Sequence, residues 1–186
     1  MILSSVEGLL LRLIRRSAAG HGFLLVCLAL SIGGAISAAY PVTAVVLPAV
    51  LLAPRRWRQI TLITALGSAL GATLLMIAFY QLGWTQIYER FPQMASHASW
   101  QRVMTWVSAY DTPALFLIAA SPLPQTPALI FFGIARHDPL SVFVAMLAGK
   151  LLKYGLLAWL ATRFPERFGK GLGGFLGFRR QAGRSR

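Results

Sequence analysis

Residues 113–135 read PALFLIAASPLPQTPALIFFGIA, an apolar run with no charged side chain. A helix needs ~20 such residues to cross the hydrocarbon of a bilayer. The centre of this run, Ser121-Pro122-Leu123-Pro124-Gln125-Thr126-Pro127, nevertheless forbids one straight helix. Each proline lacks a backbone N–H, and its ring clashes with the preceding turn. Backbone that is not helical survives at membrane depth only where protein or a water-filled cavity shields it. The economical solution is a re-entrant hairpin over 113–135. Its tip is the cluster Pro122, Pro124 and Pro127, and both of its ends lie on one side of the membrane.

The rest of the chain fits the same solvent. Of 186 residues, 56% are hydrophobic and only 12% are charged, about half the charged fraction of an ordinary soluble domain. Mean hydropathy is +0.64. The chain therefore reads as an all-α integral membrane protein. Residues 17–54 form a second apolar stretch, broken at Gly33-Gly34, Pro41 and Pro48, and read as hairpin 1 with Pro41 and Pro48 at its tip. Arg55-Arg56-Trp57-Arg58 is a basic interfacial stop with an aromatic anchor. A transmembrane helix follows over 60–82. Within it, Gly67 and Gly71 make a GxxxG edge that admits close approach by another helix, from this chain or from a second copy in a homo-oligomer.

Residues 83–112 are mixed and aromatic and read as an external interfacial segment. After hairpin 2 (113–135), Arg136-His137-Asp138-Pro139 turns the chain into a last transmembrane helix over 140–162. Residues 1–16 have helical apolar spacing with a basic edge and read as an amphipathic helix on the membrane surface. A cleavable signal sequence is the competing reading of that end. Residues 166–186 are a Gly-rich basic tail expected to be mobile and close to anionic headgroups.

Eighteen Lys and Arg against five acids give a net charge of +13. The cations flank apolar runs, so they point to cytoplasmic loops and anionic lipid rather than to nucleic acid. Placing the N-terminal arginines, residues 55–58 and the tail in the cytoplasm leaves 83–110 outside. Each hairpin-plus-helix unit then enters the membrane with the opposite orientation. Pro41 and Pro122 are 81 residues apart, as are Arg55 and Arg136, a faint echo of an inverted repeat of two re-entrant hairpins, each followed by a transmembrane helix. One cysteine, Cys27, rules out an internal disulfide. Three scattered histidines give no metal signature, and no cofactor is expected.

A proline-rich hairpin, the small residue Gly133, the Arg136-x-x-Pro139 turn and a helix carrying Gly149-Lys150-Leu-Leu-Lys153-Tyr154 together resemble the DedA superfamily (SNARE-associated or VTT-domain membrane proteins), in particular its short bacterial branch. The resemblance covers roughly residues 35–165. It implies two inverted re-entrant hairpins, a multi-pass bacterial inner-membrane protein with both termini cytoplasmic, and translocation or scrambling of lipids, phospholipid or polyprenyl-phosphate carrier, in support of envelope homeostasis. The chain departs from the family pattern. Residues 31–54 and 60–82 contain no acid, and Ser121 and Pro127 stand where arginines are typical. Proton coupling and phosphate binding through those family residues do not carry over.

Lys150 and Lys153 are the most informative polar pair. They lie three apart, on one helical face, near the middle of the last span. A lysine at that depth costs ~2.5–3.5 kcal/mol on insertion scales unless protein or water receives it. One reading is a cationic site for a phosphate headgroup; the other is snorkelling to the interface. Arg136 is either a headgroup contact or an interface anchor. Ser121, Gln125 and Thr126 offer uncharged hydrogen-bonding groups at the tip. Asp111 and Asp138 are either proton carriers or counter-ions to a lysine, or simply a turn residue and a helix cap. His97 and His137 read as solvated loop residues. Five acids without helical pairing inside the apolar runs build no metal or nucleophile site, so no enzymatic activity is expected. The alternative to lipid transport is a membrane scaffold or assembly protein that works through GxxxG packing and the basic tail.

Overall fold

The computed structural model describes residues 12–14, 22–37, 40–90, 105 and 112–164, all helix or short connection, with no strand among them. We number the helices α1 (Phe23–Ser37), α2 (Thr43–Leu52), α3 (Trp57–Arg90), α4 (Thr112–Ala120), α5 (Thr126–Ile134) and α6 (Pro139–Arg163). A 3₁₀ turn at Pro54–Arg56 leads into α3. Pro54–Gln81 and Pro139–Arg163 are long and apolar enough to cross a membrane. Both also carry large apolar side chains on the outside: Leu62, Leu74, Val144, Leu156 and Trp159 are all exposed. The outward faces of a water-soluble bundle are normally polar.

Prolines break the chain where the sequence suggests, though not all at the tips. The second bend covers residues 121–125, and Ser121 holds it together: Oγ donates to Ile118 O (3.0 Å) and accepts from Leu123 N (3.2 Å). Pro122 and Pro124 lie in this bend. Pro127 does not; it sits in the first turn of α5, where its missing N–H would have had no partner anyway. Pro48 likewise lies inside α2 rather than at a tip, leaving Pro41 as the tip proline of the first hairpin. Ala44 N donates to Pro41 O (2.8 Å) and starts α2. The helix expected over 60–82 extends to Arg90. The apolar run ends near Leu82, but residues 83–90 contain no proline to stop the helix, and the next proline is Pro92.

A turn of defined chemistry joins α5 to α6. His137 N donates to Phe132 O (3.1 Å) and Arg136 N to Gly133 O (3.2 Å), the two bonds of a Schellman cap. Arg136 takes the left-handed position there, with φ 58°, a place usually given to glycine. Asp138 then caps α6, its Oδ2 accepting from Ser141 N at 2.8 Å.

The helices α3 and α6 run antiparallel: Lys150 meets Ser68, and Gly155 comes near Thr61, lower on α3 and higher on α6. The four short helices pack around them in a reciprocal pattern. The first arm of each hairpin lies on the long helix that follows it, α1 on α3 and α4 on α6. The second arm crosses to the other long helix, α2 mainly to α6 and α5 to α3. Glycine permits both first-arm contacts. A Cβ on Gly71 would stand 2.7 Å from Ile32 O and 2.8 Å from Ala35 Cβ; one on Gly149 would stand 2.6 Å from Phe116 O and 2.7 Å from Ala119 Cβ. The GxxxG edge is thus covered by α1 of the same chain. Two apolar cores result, one toward each end of the long helices. Phe132, Met76, Leu115 and Met146 centre one; Phe23, Val45, Val46 and Ile60 centre the other, which also buries Ile14.

Candidate functional site

Midway along α3 and α6 the two apolar cores stop, and the bends of both hairpins come together around a cavity of about 400 Å³. Hairpin 1 lines it with Gly34, Tyr40, Pro41 and Thr43, and hairpin 2 with Pro122, Leu123, Pro124, Gln125 and Thr126. The long helices contribute Ser68 from α3 and Lys150, Lys153 and Tyr154 from α6. Lys150 is the twelfth of the 25 residues of α6, so it lies near the middle of the helix and far from either end.

Lys150 is 2% exposed, and its ammonium donates to Ser68 O (2.8 Å) and Ser68 Oγ (2.6 Å). Ser68 Oγ also lies 3.4 Å from Tyr154 Oη. Lys153 is half-buried and donates to Ser121 O, at the start of the second bend, at 2.6 Å. Both ammoniums therefore rest on neutral oxygens. Asp138 is the only carboxylate whose side chain is described, and it is occupied at the N-terminus of α6. No described acid balances the lysine pair.

Two helices start at the cavity wall. Thr43 opens α2 and Thr126 opens α5, and neither helix has a side-chain cap. The residue before each, Val42 and Gln125, is itself in helical conformation. By contrast, α6 starts away from the cavity and is capped by Asp138. Helix starts carry partial positive charge. The cavity thus gathers two ammoniums and two uncapped helix starts, an arrangement with chemistry suited to an anion.

The structure sorts the residues expected from sequence. It brings together Lys150, Lys153, Gln125 and Thr126, and adds the main-chain carbonyl of Ser121 where the hydroxyl was expected. It does not bring Arg136 in. That side chain is exposed, with its guanidinium 5.0 Å from the Tyr80 ring near the far end of the apolar part of α3. Asp138 serves as a helix cap, and its hydrogen bonds with Ser141 hold its carboxyl below the usual carboxylate range. It is not a counter-ion to either lysine. His137 packs against Phe132, ring centroids 4.5 Å apart. Asp111, His97, the basic tail and most of residues 1–16 lie outside the described residues. From hairpin 1 the sequence reading named Pro41 as a tip residue; it missed Gly34, Tyr40 and Thr43 there, and Ser68 and Tyr154 on the long helices. Ser68 was visible as the hydroxyl inside GxxxG, and Tyr154 as the neighbour of Lys153, but nothing linear linked either to the other half of the chain. No family model, no curated protein and no solved structure matches this chain.

Proposed function

We propose that this chain is a DedA-like protein of the bacterial inner membrane that moves lipids across the bilayer by receiving an anionic phosphate headgroup in the cavity between its hairpins. The observation that carries the reading is the pair Lys150 and Lys153, held at mid-length of α6 in a cavity built by both hairpin bends, with no described carboxylate to neutralise them. Lysines placed this way cost free energy that packing alone does not return. A phosphate group supplies the missing charge.

In this reading the hairpins are re-entrant and form an inverted repeat. The reciprocal packing of the four arms supports it, as does the spacing of the two arginine turns. Arg136 stacks on Tyr80, 23 residues along α3 from Trp57 beside the 55–58 cluster, or ~35 Å at ~1.5 Å per residue. That separation exceeds the ~30 Å hydrocarbon core and falls within the ~40–45 Å of a bilayer with its interfaces. Both termini and residues 55–58 are then cytoplasmic. Movement is not coupled through the acids typical of the family, because neither hairpin 1 nor the helix after it contains one over residues 31–54 and 60–82.

The test is lipid movement in proteoliposomes, with labelled phospholipid and polyprenyl phosphate, with and without a pH gradient. Lys150→Ala should abolish movement while the protein inserts and stays helical. Lys150→Arg should keep part of it, since the charge survives but the donor geometry changes. Lys150→Glu should fall below Ala by repelling the phosphate. Three variants alike and near wild type would refute the site. If deletion of 170–186 then abolished function, the scaffold role would take its place.

A further inference from the structure

The two bends at the cavity are fastened differently. Tyr40 closes hairpin 1 on itself: its hydroxyl donates to Leu30 O (2.5 Å). Its ring covers Gly34 so closely that a Cβ there would stand 2.6 Å from Cε2. Neither lysine takes part. Among the described residues, hairpin 2 has no such internal side-chain tie beyond the Ser121 hydroxyl, and Pro122 and Pro124 have no N–H to add one. The side-chain hydrogen bond that connects its bend to the long helices comes from Lys153, whose ammonium donates to Ser121 O at 2.6 Å.

The lysines are therefore not equivalent. Lys150 spends both its hydrogen bonds on Ser68 of α3 and joins the two long helices to each other. Lys153 joins α6 to a bend of the cavity wall, through a neutral carbonyl that an anion can outbid. The ammonium–carbonyl bond already has the lysine charge behind it, but a phosphate oxygen adds the attraction of a full opposite charge, which a carbonyl dipole lacks. A ligand shifts such an equilibrium only by its preference for one state, and an anion held by a freed Lys153 has that preference built in.

We propose that a phosphate-type anion entering the cavity draws Lys153 off Ser121 O and so releases the bend of hairpin 2, while hairpin 1 stays closed. The cargo opens one wall of its own site, always the same one. This rests on reading the cavity as an anion site.

The experiment uses the full chain in phosphatidylcholine nanodiscs with Cys27→Ala, carrying either Leu123→Cys in the second bend or Thr43→Cys beside the first. Maleimide labelling rates are measured with and without inorganic phosphate at constant ionic strength. They are measured again in nanodiscs containing phosphatidic acid. Binding of radiolabelled phosphate is followed separately on the same samples. Phosphate, free or on lipid, should raise the Leu123→Cys rate at least ~10-fold, the equivalent of one charge-assisted hydrogen bond, and leave Thr43→Cys unchanged. Which form acts tells a free anion from a headgroup. Lys153→Met should give the fast Leu123→Cys rate without any phosphate and remove the response. Lys153→Arg, which keeps the donor, should stay slow and responsive, which guards against mere loss of folding in the Met variant. If radiolabelled phosphate binds but the Leu123→Cys rate does not move, or both bends respond equally, the release is wrong and the anion site stands. If neither form of phosphate binds or changes any rate, the site reading falls and the release falls with it.

Discussion

Two glycines on α6, six residues apart, offer a matched test of the packing that frames the cavity. A Cβ on Gly155 would find only Thr61 Cγ2, at 3.9 Å, an ordinary contact. A Cβ on Gly149 would lie 2.6 Å from the Phe116 carbonyl and 2.7 Å from Ala119 Cβ, both on α4 and unable to rotate away. Alanine is worth ~1 kcal/mol over glycine inside a helix, so Gly155→Ala should stabilise by about that amount. In Gly149→Ala the same gain is opposed by displacing α4 far enough to restore a normal contact. Such overpacking costs ~1–3 kcal/mol, leaving a net destabilisation of ~0–2 kcal/mol. The two variants should therefore differ by ~1–3 kcal/mol. Reversible unfolding by sodium dodecyl sulfate in mixed micelles, followed by far-UV circular dichroism, measures that difference. Because α4 ends at Ala120, directly before Ser121, Gly149→Ala should also weaken the Lys153 bond and quicken labelling of the second bend. Equal stabilities within ~0.5 kcal/mol, inside the error of additivity, would mean that α4 does not pack on α6 as described.

Two further outcomes follow from the ends of the long helices. On a Cys27→Ala background, Ala135→Cys should react with an impermeant maleimide in intact cells and Gln59→Cys only after lysis; reaction of both from the same side would refute a membrane-crossing α3. Asp138→Ala should lower the unfolding midpoint, and Asp138→Asn, which can still accept from Ser141 N, should lower it less. The Asp138 carboxyl is held below its ordinary value, so its contribution is present above the unfolded-state pKa, ~3.9, and is lost as pH falls through the lower folded value. The difference between wild type and Asp138→Ala should therefore shrink in acid below about pH 4; a difference that instead grew there would contradict the cap.

Among the described residues, proline positions and apolar run length were enough to give the order of the helices. Hydrophobic runs broken by proline and bounded by arginine are local facts, and they leave little latitude in where helices run and where they bend. The bend at 121–125, the end of hairpin 2 and the start of α6 stood where those rules put them. Lys150 and Lys153 also stood out, because a lysine deep in an apolar helix is costly wherever the chain goes afterwards. What they touch was not legible. Ser68 lies 82 residues before Lys150 and looks like part of a packing motif, and Tyr40 looks like any aromatic beside a proline. Arg136 and Asp138 were candidates behind the lysines, and the Schellman turn faces one outward while the helix start claims the other. Linear spacing sets which face of a helix a residue occupies, whereas the reciprocal crossing of α2 and α5 decides what that face meets. That crossing joins helices distant in sequence, while the first arms settle into glycine-sized gaps at Gly71 and Gly149, so only the tertiary structure joined the two bends into one cavity.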